Sequence, residues 1–385
     1  MNVLSVGLSA GVLTSDTDDV RARQLRYAQA IGSLRMILPR EGGVGAEPVA
    51  LSESLTVYTA PRPNWPGFVP NAVRVAGEIA KREKVDLVTV QDPFVGGLIG
   101  AILKRRFGWP LEIQSHSTFF DNPHWIAERP LIHAALNVAG KQVLRQGNGW
   151  RVSNQHQQER YLAIGLPADR VRRIPIPINF QSFQKPLSAE ERQTIRAGWD
   201  VAGDTPVFLW AGRPVRFKNL PTLLRAARIV FDRMPQARLV LIGDFSGAPH
   251  LMALADSLKL GSNVVWPGPV PHAGIPAAFR AADIYVLPSW YEGLARVLME
   301  AAASELPIAA ARSPGVWDAV VDGETGLLSA PGDHAMLAET MLKLGGDLPQ
   351  ARMMGKRGAQ FAAQEFDPQK LQAAIIRAWQ ACAGL

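Results

Sequence analysis

DIYVLPSWYEGLARVLMEAAAS, residues 283–304, is the stretch that decides the fold. Ile284 to Leu287 is an apolar run of strand length, of the kind buried on both faces of a sheet. Pro288 and Ser289 end it, Gly293 marks a turn, and LARVLMEAAAS reads as a helix. Strand, turn and helix in that order belong to a parallel sheet built from βαβ units. Two carboxylates, Glu292 and Glu300, sit eight positions apart on this unit. A carboxylate near a helix N-terminus is favoured by the dipole, and the free N–H groups there can receive a phosphate. A plainer reading is also open. Arg296 is four positions from each glutamate, and such i,i+4 pairs on a helix surface contribute only about 0.2–0.5 kcal/mol each.

The same alternation extends in both directions. Downstream of residue 205, strands are expected at VFLWAG, ARLVLIGD, NVVWPG, DIYVLPS and LPIAAAR, and helices at LPTLLRAARIVFDRM, HLMALADSLKL, IPAAFRAA and ARVLMEAAAS. In the first half, strands are expected at NVLSVGL, LRMILP, LTVYTA, DLVTVQD, LEIQSHS and GWRVSN, with helices at 21–31 and 71–83. Between the two series lies a Pro-rich, polar stretch over residues 175–205, the expected boundary. The fold class is therefore α/β, with two Rossmann-like domains. The expected division is 1–178, 179–366, and a final helix over 367–385 that crosses back to the first domain. Ligands of such sheets bind beyond the carboxyl ends of the strands, so the site is expected in the cleft between the two.

Length and composition agree with two ordinary globular domains: 385 residues, 47% hydrophobic and 19% charged. The single cysteine, Cys382, cannot form an internal disulfide, which points to a reducing compartment. The N-terminus lacks the pattern of a secretory signal, and no apolar run reaches the roughly 18 residues of a membrane span. A cytoplasmic protein is expected. The formal charge of +7 is uneven, with roughly +6 on residues 1–180 and roughly +1 on the rest. A basic half suits nucleic acid, anionic lipid or a phosphorylated substrate. No zinc-finger spacing, RNP-like run or long Lys/Arg block favours nucleic acid.

In VFLWAGRPVRFKNLPTLLRAA, residues 207–227, a strand leads into a basic loop with Gly212, Arg213, Arg216 and Lys218. Gly212 allows close backbone approach, Arg213 offers a planar fork to phosphate oxygens, and Lys218 a mobile point charge. A solvated basic loop is the plain alternative. Taken with the glutamates, the loop makes chemical sense: cations for a diphosphate, and carboxylates that accept hydrogen bonds from sugar or ribose hydroxyls. A nucleotide-sugar has both features.

From about Phe208 to Gly332 the sequence resembles the donor-binding domain of the GT-B glycosyltransferases, specifically the retaining family 4 (glycosyl transferases group 1). The resemblance is carried by AGRPVRFKN, LVLIGD, VVWPGPVP, AADIYVLPSWYEGLARVLMEAAASELPIAAA and AVVDGETGLLSAPGD. It implies that Arg213 and Lys218 neutralise the donor diphosphate, and that Glu292 and Glu300 are the two acids of an E-x7-E motif. Glu292 would lie near the sugar hydroxyls and Glu300 would hold the ribose. Gly293, Leu294 and Ala295 would present backbone N–H groups to sugar and phosphate, and Val270 would meet the nucleobase. Arg296 becomes a supporting residue. The implied reaction transfers a sugar, with retention, from a nucleoside-diphosphate sugar, UDP- or GDP-linked, to a hydroxyl of a glycan, lipid-linked or small-molecule acceptor. No cofactor and no metal are required, and envelope or exopolysaccharide synthesis is the expected setting.

The first half is the expected acceptor domain. His116, at the end of LEIQSHS, matches a family histidine near the reacting carbon, against the alternative of a loop histidine with no role. Asp92, at the tip of VTVQD, is either an acceptor ligand or a helix cap. Gly11 matches one glycine of a loop that relatives place beside the diphosphate, though its usual glycine partner is missing. Asp16-Thr17-Asp18 has the Asp-x-Asp form that holds a metal in another glycosyltransferase class, and is read here as a turn or cap. In IPIPINFQSF, Pro177 and Asn179 depart from the family hinge. HWIAERPLIHAALNVAGKQVLRQ, residues 124–146, suits either an anionic membrane surface or a core-packed helix pair. An NAD-dependent oxidoreductase is disfavoured because VGLSAG does not match G-x-G-x-x-G. A non-catalytic glycan-assembly subunit is disfavoured because all four donor residues are present.

Overall fold

A computed structural model describes residues 1–14, 18–40, 45–203 and 205–385. The chain divides into two units, Met1–Pro177 with Pro368–Leu385, and Ile178–Asp367.

The first unit holds an eight-stranded sheet: β1 Asn2–Val6, β2 Ser33–Pro39, β3 Val49–Ala50, β4 Leu55–Ala60, β5 Leu87–Val90, β6 Leu111–Ser115, β7 Gly149–Val152 and β8 Val171–Arg173. The order is β3-β4-β2-β1-β5-β6-β7-β8, parallel except for β3, which pairs antiparallel at one edge. The chain builds outward from β1 through β2 to β4, then returns to lay β5 on the other side of β1. One face is covered by the Trp65–Ala80 and Val95–Phe107 helices around Phe68, Ile79, Ile99 and Leu103. The other is covered by the Asp18–Ile31 helix and the C-terminal Pro368–Ala383 helix, around Tyr27, Ile31, Ile375 and Trp379. The Trp379 ring meets Tyr27 edge-on at 5.6 Å. The C-terminal helix is thus part of this unit, although some 190 residues of the other unit intervene.

The second unit has six parallel strands: β9 Val207–Ala211, β10 Arg238–Ile242, β11 Val264–Gly268, β12 Ile284–Leu287, β13 Ile308–Ala311 and β14 Gly326–Ser329. Their order is β11-β10-β9-β12-β13-β14. The sequence order reverses between β9 and β12, and both strands are buried along their whole length. A reversal of this kind opens a crevice at the carboxyl ends of the two strands. It is also where the basic loop and the Glu292 turn leave the sheet.

The sequence reading does not anticipate β3, β8 or β14, which are runs of two to four residues at sheet edges. It also starts the helix after β4 late. That helix begins at Trp65, because Asn64 caps it through the Gly67 N–H at 2.6 Å and accommodates Pro66 in its first turn. The His334–Gly346 and Leu348–Glu365 helices are new as well. The second packs through small residues rather than an apolar stripe: a Cβ on Gly355 would lie 2.0 Å from the Glu305 carbonyl oxygen. In the boundary stretch, Ser188 and Glu191 form a reciprocal capping box on the Ala189–Ala197 helix. Arg196 of that helix is buried and bonds Asp283 at 3.0 Å, which ties the segment to the root of β12.

Candidate active site

Gly212 follows β9 with φ +155 and donates its N–H to Ile242 at 3.0 Å. A Cβ on Gly243 would stand 2.2 Å from the Gly212 oxygen, so the ends of β9 and β10 approach as only glycine allows. Arg213 is exposed and its guanidinium has no hydrogen-bond or ion-pair partner among the described residues. The loop then closes a single 3-10 turn, Arg216–Lys218, and Asn219 takes a left-handed conformation with φ +53. Asn219 reaches across to the Pro288 carbonyl at 3.2 Å. The Trp290 N–H meets the Phe217 carbonyl at 2.8 Å, and the Phe217 ring stacks on Tyr291 at 5.0 Å. The two loops from the reversal point are therefore lashed together.

Their meeting places Lys218 Nζ 2.7 Å from Glu292 Oε1. The same oxygen accepts the Ser289 hydroxyl at 2.7 Å. Both charges are largely shielded, with side-chain exposures of 15% and 8%. A shielded pair of this kind is costly to break, because the remaining charge is left unanswered. The turn behind it is held from the next loop. Glu292 N–H donates to Pro314 at 2.8 Å, and Gly315 (φ +79) is so close that a Cβ would lie 2.5 Å from the Gly293 oxygen.

The helix itself is Arg296–Ala303, so Glu292, Gly293, Leu294 and Ala295 precede it. Glu292 bonds Lys218 and Ser289, and Arg296 Nη2 lies 3.8 Å from Glu300. Glu300 occupies the second turn. The Tyr285 phenol, buried beneath, is raised well above its usual pKa, mainly by burial, with both Glu300 and Glu292 adding to the effect. Val270 lies just past β11, two strands from β9 in the sheet order, and is half-buried. A groove of about 410 Å³ beside the basic loop is lined by Pro214, Arg216, Pro221, His250 and Trp290. The sequence reading assigns no role to the last two. Gly332 (φ +78) gives Trp290 its place, since a Cβ there would come within 2.2 Å of the indole.

In the first unit, His116 follows β6 and faces a small cavity of about 80 Å³. Its surroundings decide its protonation. Glu112 Oε2 accepts from Gln114 Nε2 at 3.0 Å, from Thr89 Oγ1 at 2.6 Å and from Trp379 Nε1 at 2.8 Å. A carboxylate that accepts from the Gln114 amide nitrogen fixes the amide, leaving Gln114 Oε1 as an acceptor. His116 Nε2, 3.1 Å from that oxygen, must therefore carry the proton. Burial pushes the imidazole pKa down to about 3, and the Arg151 and Arg23 cations push the same way. The ring is neutral, with its lone pair on Nδ1.

Asp92 caps the Val95–Phe107 helix, accepting from Phe94 N–H at 2.7 Å and Gly96 N–H at 2.8 Å. Both oxygens are engaged, and burial raises its pKa against the pull of those bonds. Gly11 opens a four-residue helix, and a Cβ there would meet only Ser9 Oγ at 3.5 Å, an ordinary contact. Asp16 and Thr17 lie outside the described residues, and the next helix begins at Asp18. Residues 124–146 form the helices Pro123–Glu128 and Pro130–Leu144. The second is not packed all round: Leu131, Ile132 and Val138 are 89%, 55% and 64% exposed. No helix among the described residues is long and apolar enough to cross a membrane.

Two family profiles match the chain, described as "Glycosyl transferases group 1" over residues 191–361 and "Glycosyl transferase 4-like domain" over residues 18–177. Among curated relatives, D-inositol 3-phosphate glycosyltransferase of Corynebacterium diphtheriae is 36% identical over 321 residues, covering 75% of each chain. The protein of that name from Nocardia farcinica is 27% identical over 332 residues, covering 77% of this chain and 72% of its own. Among solved structures, sucrose-phosphate synthase from Thermosynechococcus elongatus superposes with a TM-score of 0.81 at 21% identity over 99% of both chains. Anabaena HepE, solved with UDP-glucose, gives 0.76 at 18% identity, covering 98% of this chain and 99% of that one. The architecture is that of the GT-B fold.

Proposed function

The chain belongs to the glycosyl transferases group 1, the family 4 type, and on that premise we propose that it moves a sugar from a nucleoside-diphosphate sugar to an acceptor hydroxyl. The observation that carries this reading is the meeting of Lys218 and Glu292 at 2.7 Å, where the strand order of the second unit reverses. Arg213 stands exposed on the same loop, ready for a polyanion. The second unit is on this reading the donor domain, and the first, with its C-terminal helix, the acceptor domain.

In the proposed reaction the bond from the sugar's anomeric carbon to the diphosphate breaks, and its electron pair goes to the phosphate oxygen. The acceptor oxygen bonds that carbon from the same face, with retention, and its proton passes to a donor phosphate oxygen. Negative charge grows on the diphosphate as the bond lengthens. Arg213, Lys218 and the N–H groups of Gly293, Leu294 and Ala295 are proposed to meet that charge, stabilising the transition state more than the ground state. These fixed cations supply what a metal ion would otherwise supply, so the reaction is proposed to be metal-independent. Glu292 orients Lys218 and a sugar hydroxyl, Glu300 holds the ribose, Gly212 admits the phosphates, and Val270 lies toward the base. Neutral His116 accepts at the sugar through Nδ1, and Asp92 and Gly11 border the acceptor.

UDP or GDP is the proposed carrier, UDP being supported by HepE. The curated relatives act, by name, on a phosphorylated cyclitol, which supports a polar hydroxylated acceptor. Glycan and lipid-linked acceptors of envelope or exopolysaccharide synthesis remain within this proposal. So does a cytoplasmic protein resting on an anionic membrane through Leu131, Ile132 and Val138, with Lys141 and Arg145 at the end of that helix. The test is turnover of a nucleotide-sugar panel by the wild-type chain and Glu300→Ala, with and without chelator. Sugar transfer is expected with at least one donor, unaffected by chelator, and KM for that donor is expected to rise about tenfold or more in the variant, the effect of a lost charged hydrogen bond. Transfer with an unchanged donor KM in Glu300→Ala would refute the ribose assignment, and absence of any transfer would refute the reaction.

A further inference from the structure

The cavity behind His116 contains a buried charge that the proposed reaction does not use. Arg151, in β7, is 6% exposed. Its Nη2 donates to Gln114 Oε1, but Nε and Nη1 have no hydrogen-bond partner among the described residues. A buried guanidinium with two unanswered nitrogens is costly unless a ligand or solvent satisfies them. The other charged side chain lining the space is also a cation, Arg23 of the Asp18–Ile31 helix, and among the described residues no carboxylate lines it. The nearby buried acid, Glu112, is set apart, with one oxygen taken by Thr89, Gln114 and Trp379. The remaining polar lining is neutral, with donors on Tyr27, Gln91 and Ser5; the His116 N–H is already given to Gln114. Burial raises the Tyr27 pKa, so its phenol keeps the proton.

Size narrows the ligand. The space is about 80 Å³, roughly half of the ~150 Å³ cavity that takes up a benzene ring. That is room for one phosphoryl or carboxylate group and not for a sugar ring. Place narrows it further. Gln91 and His116 are the residues that follow β5 and β6, so the cavity reaches the carboxyl edge of the sheet, where ligands of such sheets bind.

We propose that this cavity is an oxyanion site, in which Arg151 and Arg23 grip a single phosphoryl or carboxylate group with neutral donors around it. Two sources share that chemistry: an anionic group carried by the acceptor, and free inorganic phosphate. The site itself does not depend on glycosyl transfer, whereas its assignment to the acceptor rests on that reading.

The full-length chain is compared with Arg151→Met and Arg23→Gln, the latter a half-buried helix position that can be changed without opening the sheet. Melting is followed with inorganic phosphate and, separately, with nucleoside diphosphates. Initial rates are measured with a hexose, its 6-phosphate and its uronic acid as acceptors. If the anion is free phosphate, it raises the wild-type melting temperature, and its affinity falls about tenfold or more in each variant, the expected loss of a charged hydrogen bond. If the anion belongs to the acceptor, wild type prefers the phosphorylated or carboxylated hexose, and Arg23→Gln loses that preference with the donor KM unchanged. The proposal is overturned if phosphate and all three acceptors behave alike in wild type and in Arg23→Gln. A nucleoside diphosphate that fails to bind wild type counts against the proposed reaction and leaves the phosphate arm readable.

Discussion

Glu112, Gln114 and His116 alternate along β6, and the chain of hydrogen bonds from the first to the last fixes a neutral imidazole with its proton on Nε2. The consequence for stability follows from linkage. The imidazole pKa is about 3 in the folded chain against about 6.5 for an imidazole in the unfolded chain, so between those pH values the unfolded chain binds the extra proton. The stability tied to His116 is complete above about pH 6.5 and is lost as the pH falls toward 3, with a slope of up to about 1.4 kcal/mol per pH unit. Urea titrations of wild type and His116→Asn at a series of pH values should therefore diverge on acidification, with wild type losing more. Parallel curves would show that the ring is not held neutral. At this scale the donor side is more legible in the sequence than the acceptor side. Lys218 and Glu292 stand in loops, where an acid and a base have few structural uses, and the structure puts them in contact. Glu112, Gln114 and Arg151 lie in strands. Period-two alternation in LEIQS reads as a face turned to water, yet all five residues are buried because two helices cover that face. Nothing local to β6 announces a helix more than 250 residues away in sequence.

Elements explain why distant loops converge. β9 and β12 are neighbours only because the strand order reverses between them, so the loops that follow share one edge of the sheet. The strands themselves are plain in the sequence, as apolar runs of four or five bounded by Gly and Pro. Short edge strands and helices built on small residues are not, because neither makes an apolar period. The turn after β13 supports the Glu292 turn from behind, through Pro314 and Gly315. Gly315→Ala must both adopt φ +79 and clear an oxygen at 2.5 Å. Strain of this kind costs about 1–3 kcal/mol, and relief requires moving residues 292–293. A lower melting temperature together with a raised donor KM is expected, measured by calorimetry and initial rates. Unchanged donor kinetics in a destabilised variant would separate the turn from the proposed site.

For the whole molecule, the two sheets and the helix that returns the chain terminus to the first unit give the architecture shared with sucrose-phosphate synthase and HepE. The repeat of strand-and-helix alternation on either side of a Pro-rich stretch makes that much readable from sequence. Which sugar is carried is not readable, because base and sugar contacts made by backbone atoms leave no residue signature. The central claim is that the loop bearing Arg213 and Lys218 binds a nucleoside diphosphate, and a ligand that binds only the native chain raises its melting temperature. The most direct measurement is the melting temperature of wild type and Lys218→Ala with UDP, GDP and ADP at millimolar concentration. At least one nucleotide should raise the wild-type value by several degrees, and that rise should shrink or vanish in Lys218→Ala relative to the variant's own ligand-free value. No rise with any nucleotide, or an equal rise in both proteins, would contradict the account.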